Sequence, residues 1–88
     1  MTIKNNKTID GDTFIGDDKK YYRLAGVNAP EKRQKGYQKA KKELDTLLGT
    51  GSLVATEVAR DRGRIVVKIR KSGQKTTINE KMKNKGYK

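Results

Sequence analysis

The chain has a single proline, Pro30, and its hydrophobic pattern changes period across that residue. Upstream, β-forming residues come in short runs: Lys7 to Ile15 (KTIDGDTFI), interrupted at Asp10-Gly11-Asp12, and Tyr21 to Val27 (YYRLAGV). The glycine suggests a bend or bulge between two strands, and GDDKK at 16–20 has the turn chemistry of a hairpin. Pro30 ends the strand that starts at Tyr21, because proline cannot donate to a ladder. Downstream, Tyr37, Ala40, Leu44, Leu47 and Leu48 recur at spacings of three and four, which places them on one face of a helix closed by Gly49 and Gly51.

Two further strands follow, Ser52 to Arg60 and Ile65 to Arg70, joined by a tight Asp61-Arg62-Gly63 turn. After a KSGQK turn, TINE at 77–80 reads as a capping box, so a second helix is expected from about Ile78 to Lys85, ending at Gly86. Three strands, a helix, two strands and a helix within 88 residues describe one small β-rich α+β domain over 1–88. The compact arrangement expected for this order is a five-stranded OB-type Greek-key barrel with two to three helices.

Lysine and arginine number 22 against 10 acidic residues, a formal charge of +12 that attracts polyanions, nucleic acid foremost. The same charge disfavours self-association, so a monomer is expected. Cysteine and histidine are both absent. Disulfides, thiolate zinc sites and Ser-His or Cys-His nucleophile pairs are thereby excluded, leaving carboxylates, hydroxyls, lysine and arginine for any chemistry. No stretch approaches membrane-spanning length and no secretory apolar segment opens the chain, so no membrane partner and a cytoplasmic location are expected.

Several residues have both a structural and a chemical reading. Asp10 and Asp12 are ordinary turn formers; on an extended chain they face opposite sides, so at most one is expected to reach a shared site unless Gly11 bends the backbone. With Asn28 they also offer the oxygen donors that calcium takes. Glu31 suits either the start of the following helix or a general base. Arg23 sits in an otherwise apolar strand, where a guanidinium calls for an anionic partner. Arg64, beside a glycine turn, could be a rim residue or a bidentate phosphate ligand. Lys32, Arg33, Lys35, Lys39, Lys41 and Lys42 form a solvated face or a track for phosphates.

Taken together, IDGDTF (9–14), YRLAGVNAPE (22–31), DRGRIVV (61–67) and INEKMKNKGYK (78–88) resemble the staphylococcal-nuclease-like family over nearly the whole chain. The resemblance implies an OB-type barrel and a calcium-dependent phosphodiesterase acting on DNA and RNA. By motif, Asp12 matches a metal-binding aspartate, supported by Asp10, and Ala29 a position that ligates through its backbone carbonyl. Arg23 and Arg64 match the phosphate arginines, and Glu31 the proposed general base. Arg62, Lys32, Arg33 and Lys35 are then expected against nucleic acid. Asn28 stands where members commonly have a second aspartate, which removes a negative charge and should weaken calcium binding. A catalytically impaired nucleic-acid-binding or interaction module is the alternative.

Overall fold

The computed structural model describes every residue from Met1 to Lys88. Along the chain run β1 (Thr2–Ile3), β2 (Asn5–Thr8), β3 (Thr13–Gly16), β4 (Tyr21–Leu24), α1 (Tyr37–Leu48), β5 (Leu53–Asp61), β6 (Arg64–Lys71) and α2 (Ile78–Asn84). The strands form one mixed sheet in the order β1-β5-β6-β4-β3-β2. All neighbours are antiparallel except β4 and β6, which run parallel and pair Tyr22 with Ile65, Arg23 with Val66 and Leu24 with Val67. That parallel pair needs a crossover, and α1 with β5 supplies it.

The sheet departs from the expected five-stranded barrel. It has six strands, and its ladder does not close. The cause is the N-terminal segment, which carries no alternating pattern. Thr2–Ile3 pairs with Val54 and Leu53, whereas Asn5 to Thr8 pairs with β3, so one stretch of chain supplies both edges. Only Lys4 lies between them. Because consecutive Cα atoms are 3.8 Å apart, Ile3 and Asn5 are at most about 7.6 Å apart, and the sheet must curl to bring its edges together.

Inside the curl is one cluster of 14 buried residues, including Phe14, Tyr22, Leu24, Leu44, Leu48, Leu53, Val67, Ile69, Ile78 and Met82. Phe14 and Tyr22 face each other across β3 and β4 and stack with their centroids 5.5 Å apart. The helix face read from the spacing is the one that packs: Ala40, Leu44 and Leu48 are fully buried. The hairpin between β5 and β6 turns on Arg62 and Gly63, both at positive φ (52° and 79°), a geometry that glycine adopts without strain.

Two helix starts differ in how well the sequence marks them. Thr77 caps α2 as expected, its Oγ1 accepting the Glu80 N–H at 3.1 Å, although the Glu80 side chain lies toward Lys83 instead of returning to Thr77. Helix α1 begins only at Tyr37, after Gly36 at φ 89°. Residues 31–36 are a string of turns, so Glu31 does not start this helix. No helix is long and apolar enough to cross a membrane.

Candidate functional site

Asp10, Gly11 and Asp12 form the turn between β2 and β3, and this turn is pressed into the molecule. A Cβ on Gly11 would lie 2.5 Å from the Ala29 Cβ and 2.7 Å from the Ala40 Cβ, so only glycine lets the loop nest between the 28–30 segment and α1. The bend brings the two aspartates together, where an extended strand would have separated them. The Asp12 N–H donates to Asp10 Oδ1 at 2.9 Å. Burial first, and then Asp12 beside it, pushes the Asp10 carboxyl up to about 6.

Asp12 is buried and held from two sides. Thr13 Oγ1 donates to its Oδ1 at 2.9 Å, and the Ala29 N–H donates to its Oδ2 at 3.3 Å. From β4, Arg23 reaches the same place: its Nη2 lies 3.7 Å from Asp12 Oδ2 and donates to Asn28 Oδ1 at 3.1 Å, while Nη1 donates to the Leu24 carbonyl at 3.1 Å. The backbone locks this corner too, since the Leu24 N–H donates to the Asp12 carbonyl at 2.8 Å. Arg23 thus has the anionic partner that its position in an apolar strand called for.

Arg64 is near but not joined to this cluster. It is at the start of β6, and the register with β4 puts it level with Tyr21, on the same sheet face as Arg23. Two residues along and one strand across, their Cα atoms are about 8 Å apart by ordinary sheet spacing. Its Nη2 donates to Asp61 Oδ2 at 3.1 Å, an exposed pair that holds it loosely. The Glu31 side chain pairs with none of these groups. Gln34 braces its backbone, Oε1 accepting the Glu31 N–H at 2.7 Å and the Gln34 N–H donating back to the Glu31 carbonyl at 2.8 Å, while its own carboxylate is exposed and unpaired. Lys32, Arg33 and Lys35 are exposed in the same loop, and Arg62 is 87% exposed at the β5–β6 turn, 4.0 Å from Asp61.

Sequence reasoning passed over Thr13 and Gln34 and read Tyr37 only as part of the helix face; all three orient the named groups. Tyr37 Oη donates to the Ile9 carbonyl at 2.8 Å, tying the start of α1 to the residue before Asp10. Hydroxyl and amide side chains that act on backbone atoms leave no spacing signal; the one cue to the Tyr37 bond is an aromatic at the head of a lysine-rich helix.

The donor set for a cation is all oxygen: the Asp10 and Asp12 carboxylates, the Asn28 amide oxygen and the Ala29 carbonyl. No group of three acidic, cysteine or histidine side chains is present. Two carboxylates crowded in one turn, one of them raised by burial and by its neighbour, are of the kind a hard dication stabilises. These are the donor types that a hard cation such as Ca²⁺ takes, with two carboxylates among them.

No curated protein matches the chain. A family model for staphylococcal nuclease homologues matches residues 21–88, a span that holds Arg23, Asn28, Ala29, Glu31 and Arg64 and begins at β4, leaving out the Asp10-Gly11-Asp12 turn and β3. With most of its length matched in this way, this chain belongs to the staphylococcal nuclease homologues.

Proposed function

We propose that the protein is a small metal-dependent nuclease that hydrolyses phosphodiester bonds in DNA, RNA or both. In this reading the curled sheet is an OB-type barrel whose ring is completed through Lys4. The observation that carries it is the Arg23 guanidinium, which one β-strand and one buried carboxylate aim at the same corner as the Asn28 and Asp12 oxygens.

Asp12 and Asp10, with Asn28 Oδ1 and the Ala29 carbonyl, would hold Ca²⁺, which when bound supplies electrophilic polarisation of a phosphoryl oxygen. The chain's own side chains do the rest. Arg23 presents a planar fork to the phosphate, and Arg64, releasing its exposed bond to Asp61, reaches the same anion from the next strand. As water adds to phosphorus, negative charge grows on the phosphoryl oxygens, and these two guanidiniums meet it; losing one such donor typically costs on the order of a hundredfold in rate. Glu31 accepts the proton of the attacking water, from a loop whose backbone Gln34 already braces, and as the new P–O bond forms the P–O ester bond to the leaving sugar breaks, its oxygen taking a proton from solvent.

The test is incubation with single-stranded DNA and RNA, in Ca²⁺, in other divalent ions and in chelator, with Glu31→Gln alongside. Calcium-dependent cleavage that falls about a hundredfold in the variant, with binding unchanged, is the expected result. Asn28, standing where a second carboxylate is expected, favours the second reading, a nucleic-acid-binding module; salt-sensitive binding without cleavage in any ion would establish it and end the first.

A further inference from the structure

Beside the candidate site, and outside it, lies a groove of about 340 Å³ lined by Lys7, Thr8, Ile9, Lys32, Tyr37, Gln38 and Lys41. Three elements that are distant in sequence each contribute one lysine: β2, the loop after Pro30, and α1. No acidic residue lines it, and none of the three lysines is in an ion pair. Like charges brought together without a counter-charge repel one another, and an anion laid among them relieves that repulsion.

The groove is also extended. Through Thr8, Gln38 and Lys41 it continues into a second hollow of about 260 Å³ that adds Lys42 and Asp45. The Asp45 carboxylate is already engaged there, its Oδ1 accepting from Thr8 Oγ1 at 2.6 Å and from Asn5 Nδ2 at 3.3 Å. At its other end the groove reaches Ile9, whose carbonyl holds the Tyr37 hydroxyl and whose next neighbour is Asp10. Asp12 is three residues on, at most about 10 Å of extended chain away.

We propose that this groove is a track for single-stranded nucleic acid, with Lys7, Lys32 and Lys41 contacting successive phosphates and leading the strand to the Asp10–Asp12–Arg23 corner. Lysine suits such a role: its ammonium is a point charge on a flexible stem, indifferent to base identity, and a lysine-lined groove free of acidic lining suits one flexible strand better than a stiff duplex. The Tyr37 ring, fixed by its bond to Ile9 and with Lys41 Nζ 5.9 Å from its centroid, forms the wall between the lysines. The track rests on the nuclease reading only for what it leads to; its grip on the strand does not depend on catalysis.

The experiment compares two variants that each lose three positive charges. One is Lys7→Gln, Lys32→Gln, Lys41→Gln; the control is Lys20→Gln, Lys68→Gln, Lys75→Gln, all exposed and away from the groove. Binding of a short labelled oligothymidylate is measured in chelator over a range of salt. The groove variant should lose at least about tenfold in affinity and its log–log salt slope should become shallower by about two, three contacts at roughly 0.7 each, while the control loses under about threefold. Equal losses in the two would overturn the track, as would a parent protein that prefers duplex. If the triple variant melts, Lys7→Gln and Lys32→Gln, both at exposed positions, carry the same comparison. Cleavage is then assayed in Ca²⁺. Absence of cleavage by the parent, with the binding difference intact, ends the nuclease reading and leaves the track standing; undiminished cleavage by the groove variant at low substrate overturns the track.

Discussion

Asp10 is held in an unfavourable ionisation environment. Its carboxyl is raised from the ordinary 3.8 to about 6, chiefly by burial, with the neighbouring Asp12 adding to the effect. A carboxyl raised in the folded state binds its proton more tightly there than in the unfolded chain. Between pH 3.8 and about 6 the folded protein therefore carries the extra proton, and the stability contributed by this group falls as pH rises through that window. Above it, the ionised carboxylate is a net cost. Asn at this position keeps an oxygen to accept the Asp12 N–H and cannot ionise. Asp10→Asn is expected to be more stable than the parent at pH 7 by about 1–2 kcal/mol, after allowing for partial exposure to water, with the gain vanishing near pH 4. Thermal melts in chelator at the two pH values check this; a variant less stable at pH 7 would contradict it. A carboxyl held where its ionised form costs stability is a candidate for a chemical role.

At the scale of elements, α2 is fastened to the sheet by one buried amide. Strand β4 ends at Leu24, opposite Val67, so β6 runs on without a partner on that side. Asn79 takes up the ladder there: its Oδ1 accepts the Ile69 N–H at 2.9 Å, and its Nδ2 donates to the carbonyls of Ala25 at 2.9 Å and Val67 at 3.0 Å. Asn79→Ala leaves the buried Ile69 N–H without an acceptor, which should cost about 2–3 kcal/mol. Denaturant melts give the total, and amide exchange gives the place: the Ile69 amide should exchange faster than those of β5 on the opposite side of the strand. The Thr77 cap and the Gly86 stop were legible in the sequence because capping is a local exchange of hydrogen bonds. The role of Asn79 was not, because its three partners lie 10 to 54 residues away.

The whole molecule depends on a thin core. Fourteen residues make up the buried cluster of an 88-residue chain, and Leu44 is the point where α1 enters it, fully buried. Leu44→Ala should cost about 2–5 kcal/mol in transfer and cavity terms. For a domain of this size that corresponds to a fall in Tm of roughly 10–30 °C, a large part of the margin such domains possess. A shift below about 5 °C would mean that the core collapses around the gap more readily than its close packing suggests.

The alternation around Phe14 and Tyr22, the three-and-four spacing from Tyr37 to Leu48 and the turn residues at 16–20 and 61–63 were legible because strand, helix and turn preferences act within a few bonds. The motif residues identified the family for the same reason, being contiguous. The open six-stranded ladder was not legible, since Thr2 and Ile3 become a strand only by pairing with Val54 and Leu53, some fifty residues along. Nor was the late start of α1, which leaves Glu31 in a loop instead of at a helix start. By itself the sequence determined the local elements and the stock of charged groups. The tertiary structure alone decided which charges meet: Gly11 must be sealed against Ala29 and Ala40 before Asp10, Asp12 and Arg23 share a corner, because electrostatic contact depends on distance through space and not along the chain.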